Sequence, residues 1–226
     1  GETVTVSGWK GFGFGEAGFV TVAAEYKDQQ RTERGGWDFR QQYARIAGAF
    51  DPRELTFDRF SAWYGEPELK QKTAFVNAGN ELGNGVKLYG WASWQDRDAV
   101  SGGFYRPAQD ARNIVAIYPD GFLPQIAPKV TDYSAAGGIR GDLGGGFGYD
   151  VSLRRGNNEI QYTLKNTINP SLGAASPQSF RPGDLINEET QAQADFLEEH
   201  GCDAMQGYWV APPLPANESA QHMVYT

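Results

Sequence analysis

Alternation of apolar and polar side chains with period two constrains the fold of this 226-residue chain more than any other feature. From Val20 to Tyr26 every second residue is apolar or aromatic, and Thr21 and Glu25 stand between them. Successive side chains of a β-strand point to opposite faces of a sheet. This spacing therefore predicts a strand with one buried face.

The same alternation recurs in five further stretches, which predicts a mainly β chain with six strands. These stretches are residues 3–9, 72–79, 86–95, 147–154 and 159–166. We expect the apolar residues of the last two stretches to share one face of the sheet, namely Phe147, Tyr149, Val151, Leu153, Ile160, Tyr162 and Leu164.

The stretch GFGEAG, from Gly13 to Gly18, matches the G-x-G-x-x-G spacing of dinucleotide-binding domains. That motif requires a strand before it and a helix after it, whereas strand-like alternation lies on both sides of this stretch. Glycine adopts positive φ angles without steric cost, as a tight reversal of the chain requires. We therefore interpret the stretch as a hairpin turn and not as a nucleotide site.

Short and long connections alternate along the chain. Short turns are predicted at Gly11–Gly18, Glu81–Gly85 and Arg155–Asn158, and long segments run roughly over residues 28–71 and 96–138. Loops beyond about 15 residues are uncommon in compact domains, whereas outer-membrane barrels have short turns at one end and long loops at the other. The pattern predicts an antiparallel up-and-down meander that forms an incomplete outer-membrane β-barrel segment. A soluble antiparallel sheet with one solvated face is the alternative.

Composition argues against several classes of function. A net charge of −8 is unfavourable for binding nucleic acid or an anionic membrane surface. Two histidines and one cysteine provide neither a convincing metal-ligand cluster nor an internal disulfide. The sequence contains no apolar run as long as the about 20 residues that a transmembrane helix needs.

Several long strings resemble the barrel portion of TonB-dependent outer-membrane receptors over about residues 1–185. Among them are FDPRELTFDRFSAWYGEP, IYPDGFLPQI and the stretch from Gly145 to Leu185. The pattern R-x-x-x-S-x-G-F-Y-R spans Arg97 to Arg106, and N-T-x-N-x-S-L-G spans Asn166 to Gly173. The resemblance is specific because long ordered strings match, and not one short motif.

The resemblance implies a non-enzymatic segment, without a cofactor, of a receptor that imports a scarce nutrient such as a siderophore or a carbohydrate. The parent would lie in the outer membrane of a Gram-negative bacterium. Its implied partners are outer-membrane lipid, a small nutrient ligand and TonB, which acts through a plug domain. We recognise no plug domain or TonB box in this sequence, and the smallest membrane barrels have about eight strands. We therefore expect that this chain alone does not transport.

Aromatic and arginine side chains in the long segments are the candidates for ligand binding, although rings of this kind also pack loops onto one another. On the resemblance to the receptors, the extracellular-loop candidates are Trp37, Trp63, Tyr64, Arg97, Tyr105 and Arg106. The identity of the ligand is not readable from them.

A second resemblance begins near Glu189, to the C-terminal end of the EAL-domain cyclic-di-GMP phosphodiesterases. ETQAQADFLEEHGCDAMQGYWVAPPLPANE carries it, with Glu189 and Gln206 at two positions that match the family. The E-A-L motif, the paired Asp ligands and the catalytic Lys are absent, so both residues are expected to be relics without phosphodiesterase activity. A phosphodiesterase remnant is thus the alternative function.

This second resemblance divides the chain into residues 1–185 and 186–226, with a join near 183–188. A natural fusion, a frameshifted reading and an assembly artefact all fit such a join. Local signals predict a helix from Glu189 to His200 that ends at Gly201, followed by a short strand near Met205–Trp209.

Overall fold

The computed structural model describes residues 1–198, which contain seven β-strands. The strands are β1 (Thr3–Phe14), β2 (Gly18–Gln29), β3 (Glu68–Gly83), β4 (Val86–Gly102), β5 (Gln125–Gly144), β6 (Phe147–Lys165) and β7 (Ser179–Glu198). Each strand pairs antiparallel with the next in one open sheet, in the order β1 to β7. The mainly β antiparallel meander predicted from the alternation is confirmed.

Three short connections lie at one end of the sheet. Gly15, between β1 and β2, has a φ of 60°, and GFGEAG is the hairpin turn predicted for it. Asn84 and Gly85, between β3 and β4, have φ angles of 51° and 76°. Asn-Gly is favoured in two-residue hairpin turns because both positions need positive φ.

Three long connections lie at the opposite end, over residues 30–67, 103–124 and 166–178. Two short 3₁₀ helices lie within them, at Pro52–Leu55 and Pro170–Ala175. The predicted alternation of short and long connections is confirmed, although the second long loop is shorter than expected. It is shorter because β4 continues to Gly102 and β5 begins at Gln125.

The predicted turn at Arg155–Asn158 is wrong, because residues 147–165 form the single strand β6. β6 pairs with β5 in constant register from Gly148 to Lys165. A glycine followed by two asparagines resembles a turn, but pairing on both sides holds the segment extended. β5 was not predicted, because Pro128 and the two glycines Gly137 and Gly138 interrupt the alternation of apolar and polar residues in this strand.

The expectation that the apolar residues of 147–164 share one face is also wrong. In a continuous strand, residues of odd and even number lie on opposite faces. Phe147, Tyr149, Val151 and Leu153 therefore lie on one face of β6, and Ile160, Tyr162 and Leu164 lie on the other.

The predicted helix from Glu189 is wrong as far as the structure describes it, because Ser179–Glu198 is strand β7. Gln191, Gln193 and Asp195 alternate with Ala192 and apolar neighbours, and pairing with β6 outweighs the moderate helix propensity of the segment. β7 also runs through residues 183–188, where a join was expected. The predicted strand at Met205–Trp209 lies outside the described residues.

The buried apolar side chains of residues 1–198 belong to the long connections. They are Tyr43, Tyr105, Ala108, Phe122, Leu123 and Ile168. The sheet itself is a single layer that leaves large apolar side chains exposed on every strand. Among the residues that the structure describes, no helix is long and apolar enough to cross a membrane.

Candidate functional site

The two faces of the sheet differ in chemistry. Residues directly opposite each other in neighbouring strands share a face, so the register assigns every strand residue to one face. We call the face that carries Val22 of β2 and Val151 of β6 face A, and the face that carries Ala23 and Ser152 face B.

An apolar band crosses face A on the half of the sheet nearer the short turns. Its members are Val20, Val22, Ala24 and Tyr26 on β2; Ala74, Val76 and Ala78 on β3; Val86, Leu88, Gly90, Ala92 and Trp94 on β4; Tyr133, Ala135, Gly137 and Ile139 on β5; Phe147, Tyr149, Val151 and Leu153 on β6; and Ala192, Ala194 and Phe196 on β7. The band extends onto edge strand β1, where Lys10 is a charged residue within it.

Polar side chains begin directly on the loop side of this band. The first of them on each strand are Asp28, Lys72, Asp96, Thr131, Arg155 and Thr190. The described ion pairs of face A lie in this polar zone, including Lys129 with Asp96 at 3.6 Å and Arg155 with Glu188 at 2.7 Å.

The edge of the band runs obliquely across the strands. On β2 the last band residue is Tyr26, whereas on β7 it is Ala192, which lies at the level of Val20. That level follows the register from Ala192 through Leu153, Gly137, Gly90 and Ala78 to Val20. From β2 to β7 the edge of the band therefore shifts by six residues, about 20 Å, along the strands. The same two strands lie five strand spacings apart, about 24 Å. The edge thus makes an angle of about 40° with the line perpendicular to the strands.

Face B carries polar pairs at the level of the band and just beyond its loop-side edge. Tyr89 donates a hydrogen bond to Asp150 at 2.5 Å, and Arg97 pairs with Asp132 at 2.8 Å. The hydroxyls of Ser93 and Ser134 lie 3.1 Å apart. Nearer the loops the apolar residues change face, since Leu69, Val130, Ile160 and Tyr162 belong to face B.

The first two long loops join into one structure, which we call the cap (residues 30–67 and 103–124). The buried Tyr43 donates a hydrogen bond to the Asp120 carboxylate at 2.9 Å, and the buried Tyr105 donates to the Asp120 carbonyl at 2.6 Å. The Arg53 guanidinium lies 4.0 Å from the centroid of the Tyr43 ring. Burial, together with the bond to Asp120, raises the pKa of Tyr43 to about 12.

Glu54 organises the first loop from within. Its Oε1 accepts hydrogen bonds from the backbone N–H groups of Gln42 and Tyr43 at 2.7 and 2.8 Å, and its Oε2 accepts from Arg59 at 2.6 Å. Burial favours a higher pKa for Glu54, but these backbone donors and the guanidinium outweigh it and lower the pKa below its usual value.

A groove of about 830 Å³ opens on the first loop of the cap, within the range of small-molecule sites. We call it the cap groove. Four exposed apolar side chains line it, with polar groups beside them: Trp37, Phe39, Phe50 and Leu55, then Arg40, Gln41, Asp51, Glu54 and Arg59. Phe50 and Leu55 were missed, and the only signal for them was Asp51-Pro52, a pair that starts turns.

The structure brings two of the predicted site residues together and separates the others. Trp37 and Tyr64 line one shallow depression beside the cap groove. Trp63 lies under the guanidinium of Arg31, 4.1 Å from its ring centroid, and is half-buried.

Three further candidates have mainly internal contacts. Arg97 lies on β4 and pairs with Asp132 on face B, outside the loops. Tyr105 is buried in the cap. Arg106 forms a backbone bridge with Phe122. These contacts account for the Arg97 and Tyr105 side chains as parts of the sheet and the cap.

Glu189, the first relic position, lies on β7 opposite Gly156 and is exposed on face B. Gln206, the second, lies outside the described residues. Over residues 1–198, His, Cys, Asp and Glu side chains form no group of three or more that could hold a metal ion.

Comparisons with known proteins leave the function to be argued from this geometry. No protein-family model, curated protein or solved structure matches the chain.

Proposed function

We propose that residues 1–198 are part of the wall of an outer-membrane β-barrel receptor of the TonB-dependent type. Face A contacts lipid, face B faces the lumen and the cap lies on the extracellular side. The ancestral role of the parent is capture and import of a scarce nutrient. Each terminal strand has an edge that no described strand pairs, so further strands would complete the wall.

The oblique edge of the apolar band carries this proposal. Strands of membrane barrels tilt by about 35–45°, and a band that lies parallel to the membrane plane crosses tilted strands at that angle. The slope of about 40° measured from the register agrees with this tilt. On β4 the band spans Val86 to Trp94, nine residues, which is about the length of a membrane-spanning strand.

The change of face near the loops supports the same arrangement. Beyond the membrane the outward side of a barrel meets water, so polar side chains are expected there. β6 follows this rule, since Arg155, Asn157, Glu159 and Gln161 continue face A above Leu153. A soluble sheet with one solvated face would keep the same face polar along the whole strand.

Immersion depth of single nitroxide labels in lipid vesicles tests the proposal. In a Cys202→Ser background, cysteines replace Tyr26, Ala192 or Glu159 of the full chain. Tyr26 and Glu159 share one register level, whereas Tyr26 and Ala192 share the edge of the band. We expect equal depths at 26 and 192 and a label in water at 159. Equal depths at 26 and 159 would contradict the proposal.

A further inference from the structure

We infer that the cap groove binds an uncharged carbohydrate chain. The inference rests on the proposed function and deepens it, because it names the class of ligand that the extracellular end captures. Three properties of the groove lead to it: fixed and exposed rings, arginines that are already paired, and a polar rim.

Two rings of the groove, those of Trp37 and Phe50, are exposed but held in place by neighbouring side chains. Phe39 is 88% exposed and Trp37 is 58% exposed. Trp37 packs edge-on against Phe60, with 5.8 Å between ring centroids, and Phe50 lies 4.0 Å beneath the Arg45 guanidinium. Rings that are immobilised before binding lose little conformational entropy when a ligand covers them. The C–H faces of sugar rings are apolar surfaces that stack on such side chains.

The charges of the groove are neutralised internally. Arg40 donates two hydrogen bonds to Asp38, at 2.8 and 2.6 Å, and Arg59 donates to Glu54 at 2.6 Å. The bond from Arg40 lowers the pKa of Asp38, so this carboxylate stays ionised at neutral pH. An anionic ligand would have to compete with these carboxylates, which already accept the guanidinium hydrogen bonds, and like charges in contact are unfavourable. The arrangement therefore favours an uncharged ligand.

The rim of the groove excludes a purely hydrocarbon ligand. Arg40, Gln41 and Asp51 stand beside the rings, and a hydrocarbon would strip water from them without replacing its hydrogen bonds. Hydroxyl groups replace those bonds as both donors and acceptors. A cationic ligand is disfavoured too, because Arg45 already lies over the Phe50 ring. A polyhydroxylated chain with apolar ring faces satisfies all three conditions.

A glycan array tests the inference with the full chain in detergent micelles. The array carries neutral oligosaccharides beside their sulfated and sialylated counterparts. We expect binding to neutral glycans that falls about tenfold or more in Trp37→Ala and in Phe39→Ala. Trp9→Ala is the matched control, because Trp9 is 79% exposed on face B, outside the cap. An unchanged β-sheet signal in circular dichroism verifies that each variant is folded.

Three results would overturn the inference: no neutral glycan bound, charged glycans preferred, or equal binding by both groove variants and the wild type. The nitroxide depths of face A report on the wall, whereas the array reports on the cap. Glycan binding together with nitroxide depths that contradict the proposed wall would refute the receptor wall and support the carbohydrate site. The expected nitroxide depths without glycan binding would support the receptor wall and refute the carbohydrate site.

Discussion

Trp91 and Trp94 lie three residues apart on β4 but on opposite faces of the sheet. Trp91 stacks on Phe75 across face B, with ring centroids 6.4 Å apart. Trp94 stands on face A at the loop-side edge of the apolar band, directly opposite Tyr133. Aromatic side chains collect at membrane–water interfaces. In the proposed wall, Trp94 therefore lies at the interface and Trp91 faces the lumen.

A charge on face A should destabilise the chain in lipid far more than a charge on face B. Val76 lies within the apolar band, and its neighbour Asn77 lies on face B. Arginine near the middle of a membrane costs about 2–4 kcal/mol. We expect Val76→Arg to lower the free energy of unfolding from vesicles, measured in urea, by about that amount. Asn77→Arg should change it by less than about 0.5 kcal/mol. Similar effects of both substitutions would contradict the assignment of the faces.

The strand conformation of β7 predicts a specific cross-link. Val151 and Ala194 lie opposite each other on face A, whereas Gln193 lies on face B. In a Cys202→Ser background, a short bifunctional maleimide should join cysteines at 151 and 194 and leave those at 151 and 193 unjoined. Mass spectrometry reads the outcome. Equal yields from both pairs would contradict the strand conformation and register of β7.

Alkaline pH should open the cap before it disrupts the sheet. The pKa of Tyr43 is about 12 in the folded chain, against about 10 for an unfolded tyrosine. This difference stabilises the cap fully below pH 10, and the stabilisation is lost as the pH rises through 12. Tyrosinate absorbance should therefore show late ionisation whose amplitude falls by one tyrosine in Tyr43→Phe, while Tyr89, Tyr105 and Tyr118, whose pKa values are also raised by burial, still ionise late. A titration of the wild type that is complete near pH 10 would argue against the buried contact.

Loss of the Glu54 carboxylate should loosen the first loop locally. Glu54→Gln leaves Arg59, whose side chain is 18% exposed, without its ionic partner. We expect amide hydrogens of residues 40–59 to exchange about tenfold faster, which corresponds to about 1.4 kcal/mol. Glu66→Gln is the control, since the Glu66 carboxylate makes no hydrogen bond to a described residue. Equal exchange in both variants would show that Glu54 does not hold the loop.

The strands and turns that depend only on neighbouring residues could be predicted from the local sequence pattern. Strict alternation identified β2 and β4, and Asn84-Gly85 identified a turn, because two-residue hairpins have few sequence solutions. Trp37 was predicted as a site residue and does line the cap groove. None of these features requires knowledge of distant residues.

The errors arose where distant pairing decides the structure. Residues 155–158 contain turn formers, but they lie between two paired strands and stay extended. Glu189–Glu198 has moderate helix propensity, yet the backbone of β6 supplies its hydrogen-bond partners. Phe50 and Leu55 line the groove on either side of the turn that Asp51 caps, at the start of the 3₁₀ helix Pro52–Leu55. Neither the strand partners nor this local cap could be read from hydrophobic periodicity.

The most direct test of the membrane wall compares two adjacent residues of β6. Val151 lies on face A and Ser152 on face B. A fluorophore is attached to a cysteine at either position, in a Cys202→Ser background and in lipid vesicles. Our account predicts that brominated acyl chains quench the label at 151, whereas aqueous iodide quenches the label at 152. Equal access of iodide to both labels, or quenching of 152 alone by the lipid, would contradict it.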